Sequence, residues 1–443
     1  MSNNIYNLTL KNGLKLIYQQ IDNTNIAAVN IFVGVGSMYE DKKNNGITHF
    51  LEHLIFKGSK SYINANSIAK VFDTYGATVN AFTDKDVTCF WYKSDYRYMD
   101  ECFKVLSDIV VNTLLNDYNS FVKEKQVVIE ELNLSLDNNA NFVLDKVIEQ
   151  LYYGTTLARP IGGNEHTVSN LDFKDIKSFY KKYYKSNNIV VSIASKLSFN
   201  TVKKMVQHSV LNSALSDSTL IERPINNVLV PQDEIRIKMH YRKLEQTNIA
   251  IGFRTCNMYN DDVYVLDIID NLLAGNMTSI LFDALRNKHG LTYGVSTEVD
   301  NYYTTGSFII LTSVLKEKLI TNGTKPGLIK VIIKSLNSLI KNGITESQLK
   351  YIQKNISGNK TLEFEDINNI TIYNGLTIMH NYPKFISFND LYKKYNSITV
   401  SQVNSVIRKY FKPKHMSVYI LGESEFIDMK EISKECNKLK NDF

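Results

Sequence analysis

One order of strands and helices occurs twice in this chain, and the repetition restricts its fold more than any other feature. Alternating apolar and polar residues predict strands, and apolar residues three to four positions apart predict helices. In each half, two strands are followed by two helices, two more strands and a further helix. A chain of 443 residues is long enough for two domains of roughly 200 residues each. We therefore expect duplication of one fold.

The predicted secondary structure forms two series. The first opens with a hairpin that turns at Asn12-Gly13 and closes with a strand at Ile189–Ala194. Between them we predict a strand at Ala27–Val35, a strand pair within Thr78–Tyr92, and helices at His49–Phe56, Asn66–Tyr75, Met99–Asn112 and Glu124–Asp137. The second series has strands at Ile235–Tyr241, Asn248–Phe253, Thr292–Asp300 and Gly306–Val314, and helices at Val263–Leu273, Thr278–Lys288 and Leu328–Asn342.

This order predicts an α+β fold of two similar lobes, each a largely antiparallel sheet with helices packed on one face. Polar residues and two prolines between positions 211 and 231 mark the boundary between the lobes. We assign residues 1–215 to the first domain and residues 230–443 to the second.

Charge and leader patterns exclude several classes of protein. The 51 basic and 45 acidic residues give a net charge of +6 without basic stripes, so nucleic-acid binding is unsupported. The four cysteines form no CxxC pair, which is typical of buried thiols in a reducing compartment. The N-terminal segment lacks the residue patterns of signal and transit peptides, so we expect neither, and no apolar run reaches the roughly 18 residues that span a membrane. We expect a cytoplasmic site, or an internal compartment or virion, in an AT-rich bacterium or virus.

The strongest chemical signal is the motif formed by His49, Glu52 and His53. Positions i, i+3 and i+4 of a helix share one face, so two imidazoles and a carboxylate converge. Two neutral imidazoles at about 2.0–2.1 Å and one carboxylate leave a fourth position on a tetrahedral zinc for water, whose pKa falls towards 7. Glu52 is then the general base that takes a proton from this water and later delivers it to the leaving amine. The motif predicts an inverted-zincin peptidase with one Zn²⁺ per chain.

The alternative is that the motif arose by chance on a solvated helix. An HxxEH pattern is expected by chance in about one chain in a hundred of this composition. A solvated face, however, should not be surrounded by Phe50, Leu51, Leu54, Ile55 and Phe56. An apolar surround strengthens the electrostatic effect of a metal ion, so this context favours the metal site.

The third protein ligand is expected on the predicted helix that contains Glu124 and Glu131. These two residues lie seven positions apart and share a face, whereas Glu130 points about 100° away. We assign Glu131 as the ligand and Glu124 as the carboxylate behind it. From the spacing alone, a solvated surface charge is an equally good interpretation of Glu124.

The run GITHFLEHLIFKGS and the helix that follows resemble the pitrilysin family, which includes insulin-degrading enzyme and the mitochondrial processing peptidases. In that family the motif and a glutamate roughly 76–78 residues downstream bind zinc. Glu131 lies 78 residues after His53 and Glu124 matches its partner, so the resemblance implies the same ligand set. The segments Arg159–Gly163 and Leu244–Gln246 also resemble the family.

Two further similarities imply roles in substrate handling. The run GATVNAFT at 76–83 resembles the family's edge strand, where the backbone pairs with substrate, so Asn80, Ala81 and Phe82 are expected to bind it. The run ALRNKHGLTYGV resembles the Arg…Tyr pair that binds substrate and stabilises the oxyanion from the opposite lobe, matched by Arg286 and Tyr293. Without the resemblance, an ordinary half-buried strand residue is an equally good interpretation of Tyr293.

The size of the chain implies a dimer. Full-length relatives have four such lobes around a closed chamber, and this chain has two, so it resembles the half-sized branch of the family. Two copies, or this chain and a different partner chain, would then form the chamber. In that arrangement Arg286 and Tyr293 serve the zinc of the partner.

The chain departs from the family pattern in several places, among them Ser195, where a glycine usually ends the last strand of the first lobe. The glycine-rich loop of related subunits is degenerate here, as Leu273–Met277. Processing peptidases have acidic residues ten and fourteen positions after the glutamate ligand, which favour an arginine near the cut. These positions are Asn141 and Asp145, so only Asp145 keeps the charge and we expect weaker dependence on arginine.

The leading interpretation is a zinc endopeptidase that hydrolyses peptides or unfolded segments added as a strand near Asn80. A presequence-processing peptidase with a specific partner is the second candidate. A non-catalytic structural or assembly subunit is the candidate outside enzymes, although such subunits usually lack part of the zinc motif. A small-molecule lyase with a similar motif is disfavoured, because those chains are far shorter.

Overall fold

The computed structural model describes residues 4–213, 221, 223, 229–382 and 386–440, and the secondary structure below is that of these residues. The strands are β1 Asn4–Thr9, β2 Lys15–Gln20, β3 Ile26–Val33, β4 Thr78–Thr83, β5 Thr88–Asp95, β6 Ile189–Ser195, β7 Arg236–Tyr241, β8 Gln246–Thr255, β9 Val295–Asn301, β10 Gly306–Leu315 and β11 Met416–Gly422. The helices are α1 Ile47–Ile55, α2 Ala65–Thr74, α3 Met99–Val111, α4 Tyr118–Asp137, α5 Asn139–Leu151, α6 Glu165–Ser169, α7 Phe173–Tyr183, α8 Phe199–His208, α9 Val210–Ser213, α10 Asp262–Ala274, α11 Ile280–Phe282 with a π-helix at Asp283–Lys288, α12 Leu328–Asn342, α13 Glu346–Glu363, α14 Ile367–Met379, α15 Phe388–Asn396, α16 Val400–Tyr410 and α17 Met429–Cys436.

The chain forms two compact units, and each combines segments from both halves of the sequence. The first unit contains the described residues of Met1–Asn133, Arg159–Pro224 and Thr361–Phe385. The second contains those of Leu134–Ala158, Ile225–Lys360 and Ile386–Phe443. The predicted boundary at 215–230 falls largely outside the described residues.

The first unit is built on a six-stranded sheet in the order β1-β2-β6-β3-β5-β4. Its neighbouring strands are antiparallel except for the parallel pair β2 and β6. The central strand β3 is buried at every position after Ile26, which is expected when both faces of a sheet are covered. Val29, Ile31 and Val33 face the main core under the helices, and Phe32 faces a smaller cluster on the opposite side.

Helix α14 comes from the second half of the sequence and covers that opposite face. It packs on β3 and β6, and Met379 joins Phe32 and Val190 in the smaller cluster. A Cβ at Gly375 would lie 2.1 Å from Cε2 of Phe32, so only glycine lets the helix approach this closely. Thr371 donates a 2.7 Å hydrogen bond to Asn30, which satisfies a fully buried amide.

The second unit also has a sheet covered by a helix from the other half of the sequence. Its sheet has the order β7-β11-β8-β10-β9, and only β7 and β11 are parallel. Helix α5, from the first half, packs on β8 and β11, where a Cβ at Gly252 would lie 2.6 Å from Leu151. Phe253 points to the other face of the sheet, where its ring lies 4.9 Å from that of Phe411.

These observations confirm the α+β fold of two similar lobes with largely antiparallel sheets. The two helices that carry the predicted metal ligands begin earlier than predicted, α1 at Ile47 and α4 at Tyr118. The predicted helix at 278–288 is interrupted by a change to π-helix, and the predictions omitted α5–α9, α13–α17 and strand β11. Among the described residues, the structure contains no helix with the length and apolar content that crossing a membrane requires.

Candidate metal centre

The three residues of the motif lie on one face of helix α1. This face is partly exposed, whereas the other residues of the helix are buried. Gly46 starts the helix with φ at +98°, a left-handed conformation that favours glycine. Ile47, Phe50, Leu51, Leu54 and Ile55 anchor the helix in the core of the first unit. His49, Glu52 and His53 remain half-buried, as their spacing on one helix face requires.

Helix α4 brings Glu131 opposite both histidines. The Nε2 atom of His49 lies 3.5 Å from one carboxylate oxygen of Glu131, and Nε2 of His53 lies 3.2 Å from the other. These three residues are the group within the described parts of the chain whose possible ligand atoms all lie within 4.8 Å of one another. Glu130 is exposed on a different face of the helix, as predicted from its angle.

The donor set fits zinc. Two ligands on one tetrahedral zinc at about 2.0–2.2 Å are roughly 3.4 Å apart, which matches the separations between the ring nitrogens and the carboxylate oxygens. Two imidazoles and a carboxylate are a common ligand set for catalytic zinc, with one position left open. The Nε2 atom of His49 faces Glu131 and is therefore the nitrogen directed towards the metal position, whereas Nδ1 is buried and has no hydrogen-bond partner among the described residues.

Glu124 and Lys57 support His53 from behind. The Nδ1 atom of His53 lies 3.0 Å from Glu124, and the ammonium of Lys57 lies 2.6 Å from the other carboxylate oxygen. Burial raises the pKa of Glu124, but the hydrogen bonds and charges of His53 and Lys57 outweigh it, so the pKa is lowered. A carboxylate behind a histidine fixes the tautomer and the orientation of the ring. Lys57 was not predicted as part of the site, although it lies four residues after His53.

Glu52 is held by the end of strand β4. The hydroxyl of Thr83 donates a 2.5 Å hydrogen bond to Oε2 of Glu52. Burial raises the pKa of Glu52, and the Thr83 hydrogen bond and the two histidines reduce this effect without cancelling it. A raised pKa suits a general base, which must accept a proton near neutral pH. Thr83 was also missed, although the segment 76–83 was singled out.

The charges of Glu131 and His49 are coupled. Burial lowers the pKa of His49, but the hydrogen bond and charge of Glu131 outweigh it, so the pKa is raised. The hydrogen bond to His49 lowers the pKa of Glu131, so its carboxylate stays ionised. The Glu131 carboxylate is therefore already in the form that binds a metal ion. The imidazole of His49 must first lose its proton.

The predicted substrate-binding residues Asn80, Ala81 and Phe82 lie on β4. This strand pairs with β5 and is the outermost strand of the first sheet. The side chain of Asn80 is exposed, and its Oδ1 accepts a 2.8 Å hydrogen bond from the backbone nitrogen of Ala81. An edge strand exposes backbone groups that can pair with another chain.

The other predicted site residues belong to the second unit. Arg286 lies within the π-helix, and its guanidinium is 4.6 Å from the ring centre of Tyr293 and donates to the Tyr293 carbonyl at 3.1 Å. The ring centre of Phe282 also lies near the guanidinium, at 5.1 Å. The Tyr293 side chain is 86% exposed, which excludes the ordinary half-buried strand residue. Asp145 is exposed on α5.

The chain resembles peptidases along most of its length. Residues 15–165 match the family model described as insulinase, peptidase family M16, and residues 170–356 match the model described as peptidase M16 inactive domain. The two matches agree with the metal-binding group, whose three residues all lie in the first matched segment.

Relatives and a solved structure share this resemblance. An uncharacterised zinc protease of Bacillus subtilis (strain 168) is 27% identical over 409 residues, 91% of this chain and 95% of the relative. An uncharacterised zinc protease of Rickettsia bellii (strain RML369-C) is 30% identical over 312 residues, 70% of this chain and 73% of the relative. The crystal structure of a protease from Helicobacter pylori has a TM-score of 0.87 at 22% identity, covering 95% of this chain and 99% of that one. At this identity the structural likeness concerns the fold alone.

Proposed function

Because the chain belongs to peptidase family M16, the insulinase or pitrilysin family, we propose that it is a zinc-dependent endopeptidase acting on peptides or unfolded protein segments. The observation that carries the proposal is the position of Glu131, whose two oxygens lie 3.5 and 3.2 Å from the ring nitrogens of His49 and His53. Glu52 lies on the same helix face as the histidines, where a base for peptide hydrolysis is needed.

The residues of the site divide the work of hydrolysis. When bound to His49, His53 and Glu131, zinc supplies a water of lowered pKa and polarises the substrate carbonyl. Glu52 takes the proton that the attacking water loses and passes it to the leaving amine. Thr83 occupies Oε2 of Glu52, so proton transfer falls to Oε1. Glu124 keeps the ring of His53 turned towards Glu131.

Strand β4 gives the proposal its substrate class. An extended peptide added to the edge of β4 would lie along Asn80, Ala81 and Phe82, and its backbone would supply most of the affinity. Thr83, the last residue of β4, donates a hydrogen bond to Glu52. A peptide paired with this edge would therefore lie close to the general base. A folded protein cannot offer such a strand, and we expect selection for unfolded segments inside a chamber.

Hydrolysis of an unstructured quenched peptide tests the proposal. We expect the zinc-loaded protein to cleave it, a chelator to stop cleavage, and added zinc to restore it. Glu52→Gln should lower kcat by about 10²–10⁴-fold, the usual contribution of a general base. Glu130→Gln is the matched control and should keep full activity. A zinc-loaded protein that binds metal but cleaves no extended chain would contradict the proposal and favour an assembly subunit.

A composite active site extends the proposal. We infer that two chains, identical or different, form the chamber and that Arg286 and Tyr293 serve the partner's metal centre. Both can donate hydrogen bonds to a developing oxyanion. A chain with Arg286→Ala and Tyr293→Phe, mixed with a Glu52→Gln chain, should regain activity. Absence of rescue in dimers that demonstrably form would reject the composite site.

Asp145 bears on the cleavage site. Since Asn141 replaces the second acidic residue of processing peptidases, we propose weaker selection for arginine near the cut. A peptide library read out by mass spectrometry would measure the preference. Strict selection of arginine would contradict this inference and favour a presequence-processing peptidase with a specific partner.

A further inference from the structure

A buried carboxylate lies at the start of the helix that carries the histidines. Glu40 is 2% exposed and precedes α1 by seven residues. Its Oε2 accepts hydrogen bonds from the backbone nitrogen of Gly46 and from the Asn45 side chain, both at 2.7 Å. Its Oε1 accepts from the backbone nitrogen of Thr48 at 2.9 Å. One carboxylate thus bonds to two backbone donors of the first helical turn.

Helix α1 needs this partner because its own cap offers none. The first N–H groups of a helix have no partner within the helix, and a side chain at the cap position usually satisfies one of them. Here the cap residue is Gly46, which has no side chain. Glu40 supplies the missing acceptors from outside the helix. Burial raises the pKa of its carboxyl to about 7, although the hydrogen bonds from Asn45, Gly46 and Thr48 reduce this effect. The ionised form interacts favourably with the positive end of the helix dipole.

The segment Arg159–Gly163 fixes Glu40 and the helix start against the rest of the unit. Arg159 donates to the backbone carbonyl of Glu40, and the carbonyl of Pro160 accepts from Asn45 at 2.9 Å. The carbonyl of Gly162 lies so close to Gly46 that a Cβ there would approach it to 2.5 Å. The segment therefore forms a wall on which the first turn of α1 is seated, and we call it the 159–163 wall.

The same wall reaches the metal ligands. A Cβ at Gly162 would lie 3.6 Å from Nδ1 of His49 and 2.6 Å from Leu132, the neighbour of Glu131. Within the part of the chain that the structure describes, no side chain bonds to Nδ1 of His49, whereas Glu124 orients the ring of His53. The place of His49 is therefore set by the backbone of α1 and by the wall.

We propose that Glu40 is a positioning residue of the metal centre, which holds the first turn of α1 on the 159–163 wall so that His49 faces Glu131. The proposal rests on the proposed zinc site and deepens it. The carboxylate of Glu40 accepts hydrogen bonds from Asn45, Gly46 and Thr48, so it acts on the metal centre through the start of the helix. Loss of one of its hydrogen bonds would move His49 relative to Glu131. We therefore expect the affinity for zinc to fall.

The test compares two buried carboxylates in the same unit. Glu40→Gln keeps the size of the side chain but turns an NH2 group towards a helix N–H, which then has no acceptor. Asp108→Asn is the matched control, because Asp108 is 4% exposed and accepts from Ser59, Ser61 and Asn112. These partners lie outside the first turn of α1. Zinc Kd is measured by competition with a chromophoric chelator, alongside the Tm of the metal-free protein.

We expect both substitutions to lower Tm, but Glu40→Gln alone to weaken zinc binding, by about tenfold, the lower end for groups that orient metal ligands. With saturating zinc, kcat should fall while KM stays within about twofold, because β4 is untouched. Zinc binding unchanged in Glu40→Gln, or weakened equally in Asp108→Asn, would overturn the proposal. The zinc measurement stands even if the protein hydrolyses no peptide.

A milder variant covers the case in which Glu40→Gln does not fold. Asn45→Ala keeps the carboxylate and removes its 2.7 Å bond to Asn45 together with the link to Pro160. We expect zinc Kd to rise several-fold, less than for Glu40→Gln. Zinc affinity equal to that of the unmodified protein would overturn the proposal.

Discussion

Replacing Gly375 by alanine should destabilise the first unit, because helix α14 touches its sheet at this residue. The added Cβ would lie 2.1 Å from Cε2 and 2.6 Å from Cδ2 of Phe32, whose side chain is fully buried. Relieving this overlap requires a shift of more than about 1 Å in a packed core, which costs about 1–3 kcal/mol. Alanine is better than glycine in a helix by about 0.5–1 kcal/mol, which offsets part of the cost. The expected net loss is about 1 kcal/mol of unfolding free energy.

Trp91 makes this loss measurable within the first unit. It is the one tryptophan of the chain, and it packs against the cluster that contains Phe32 and Met379. Its fluorescence therefore reports the surface that α14 covers. With an m value of about 2 kcal/mol per M urea, a loss of about 1 kcal/mol lowers the urea midpoint by about 0.5 M. A chelator is present throughout, since bound metal would add stability.

Gly358→Ala is the matched control for this experiment. Gly358 lies within α13, also a helix, and a Cβ there would meet nothing within 4 Å. The same chemical change should leave the Trp91 midpoint unchanged or raise it, because only helix propensity changes. A Gly375→Ala midpoint that is not lowered, or an equal fall in Gly358→Ala, would refute the packing argument.

Three predictions concern the metal centre. Glu131→Gln should weaken zinc binding by more than about 100-fold in equilibrium dialysis, whereas Glu130→Gln should not; equal losses would remove Glu131 from the ligand set. Thr83→Val removes a bond that lowers the pKa of Glu52, so the acid limb of kcat/KM should move to higher pH, and an unmoved limb would exclude Glu52 as the titrating base. Glu131 raises the pKa of His49, so zinc affinity should be full above this raised pKa and decline as pH falls through it; a flat Kd between pH 8 and 5 would contradict this.

The histidine and glutamate motif of the candidate metal centre could be predicted because its signal is local. The spacing of His49, Glu52 and His53 defines a helix face without knowledge of the rest of the chain. Glu131 needed one more step, because spacing can place it on a face with Glu124 but cannot say which helix that face meets. Glu40 gave no signal at all, since its role depends on a loop folding back onto the helix start.

The fold shows the same division between local and long-range information. Alternation and turns located most strands, and β4 and β10 begin at the residues predicted. The segments that make up each unit could not be predicted, because local sequence patterns do not indicate which sheet a helix covers. That choice depends on fits such as Gly375 against Phe32 and Gly252 against Leu151, which bring together residues far apart in the sequence.

Because α5 and α14 each belong to the unit built mainly from the other half of the sequence, the candidate metal centre depends on residues from both halves. The first unit contains His49, His53 and Glu131, yet α14, which covers one face of its sheet, is encoded more than 200 residues after Glu131. Without that helix, Phe32 and the surrounding apolar cluster would meet water, and burying one such side chain contributes about 1.5–3 kcal/mol. The second half of the sequence therefore completes the unit that holds the metal residues, whatever its Arg286 and Tyr293 contribute to the chemistry.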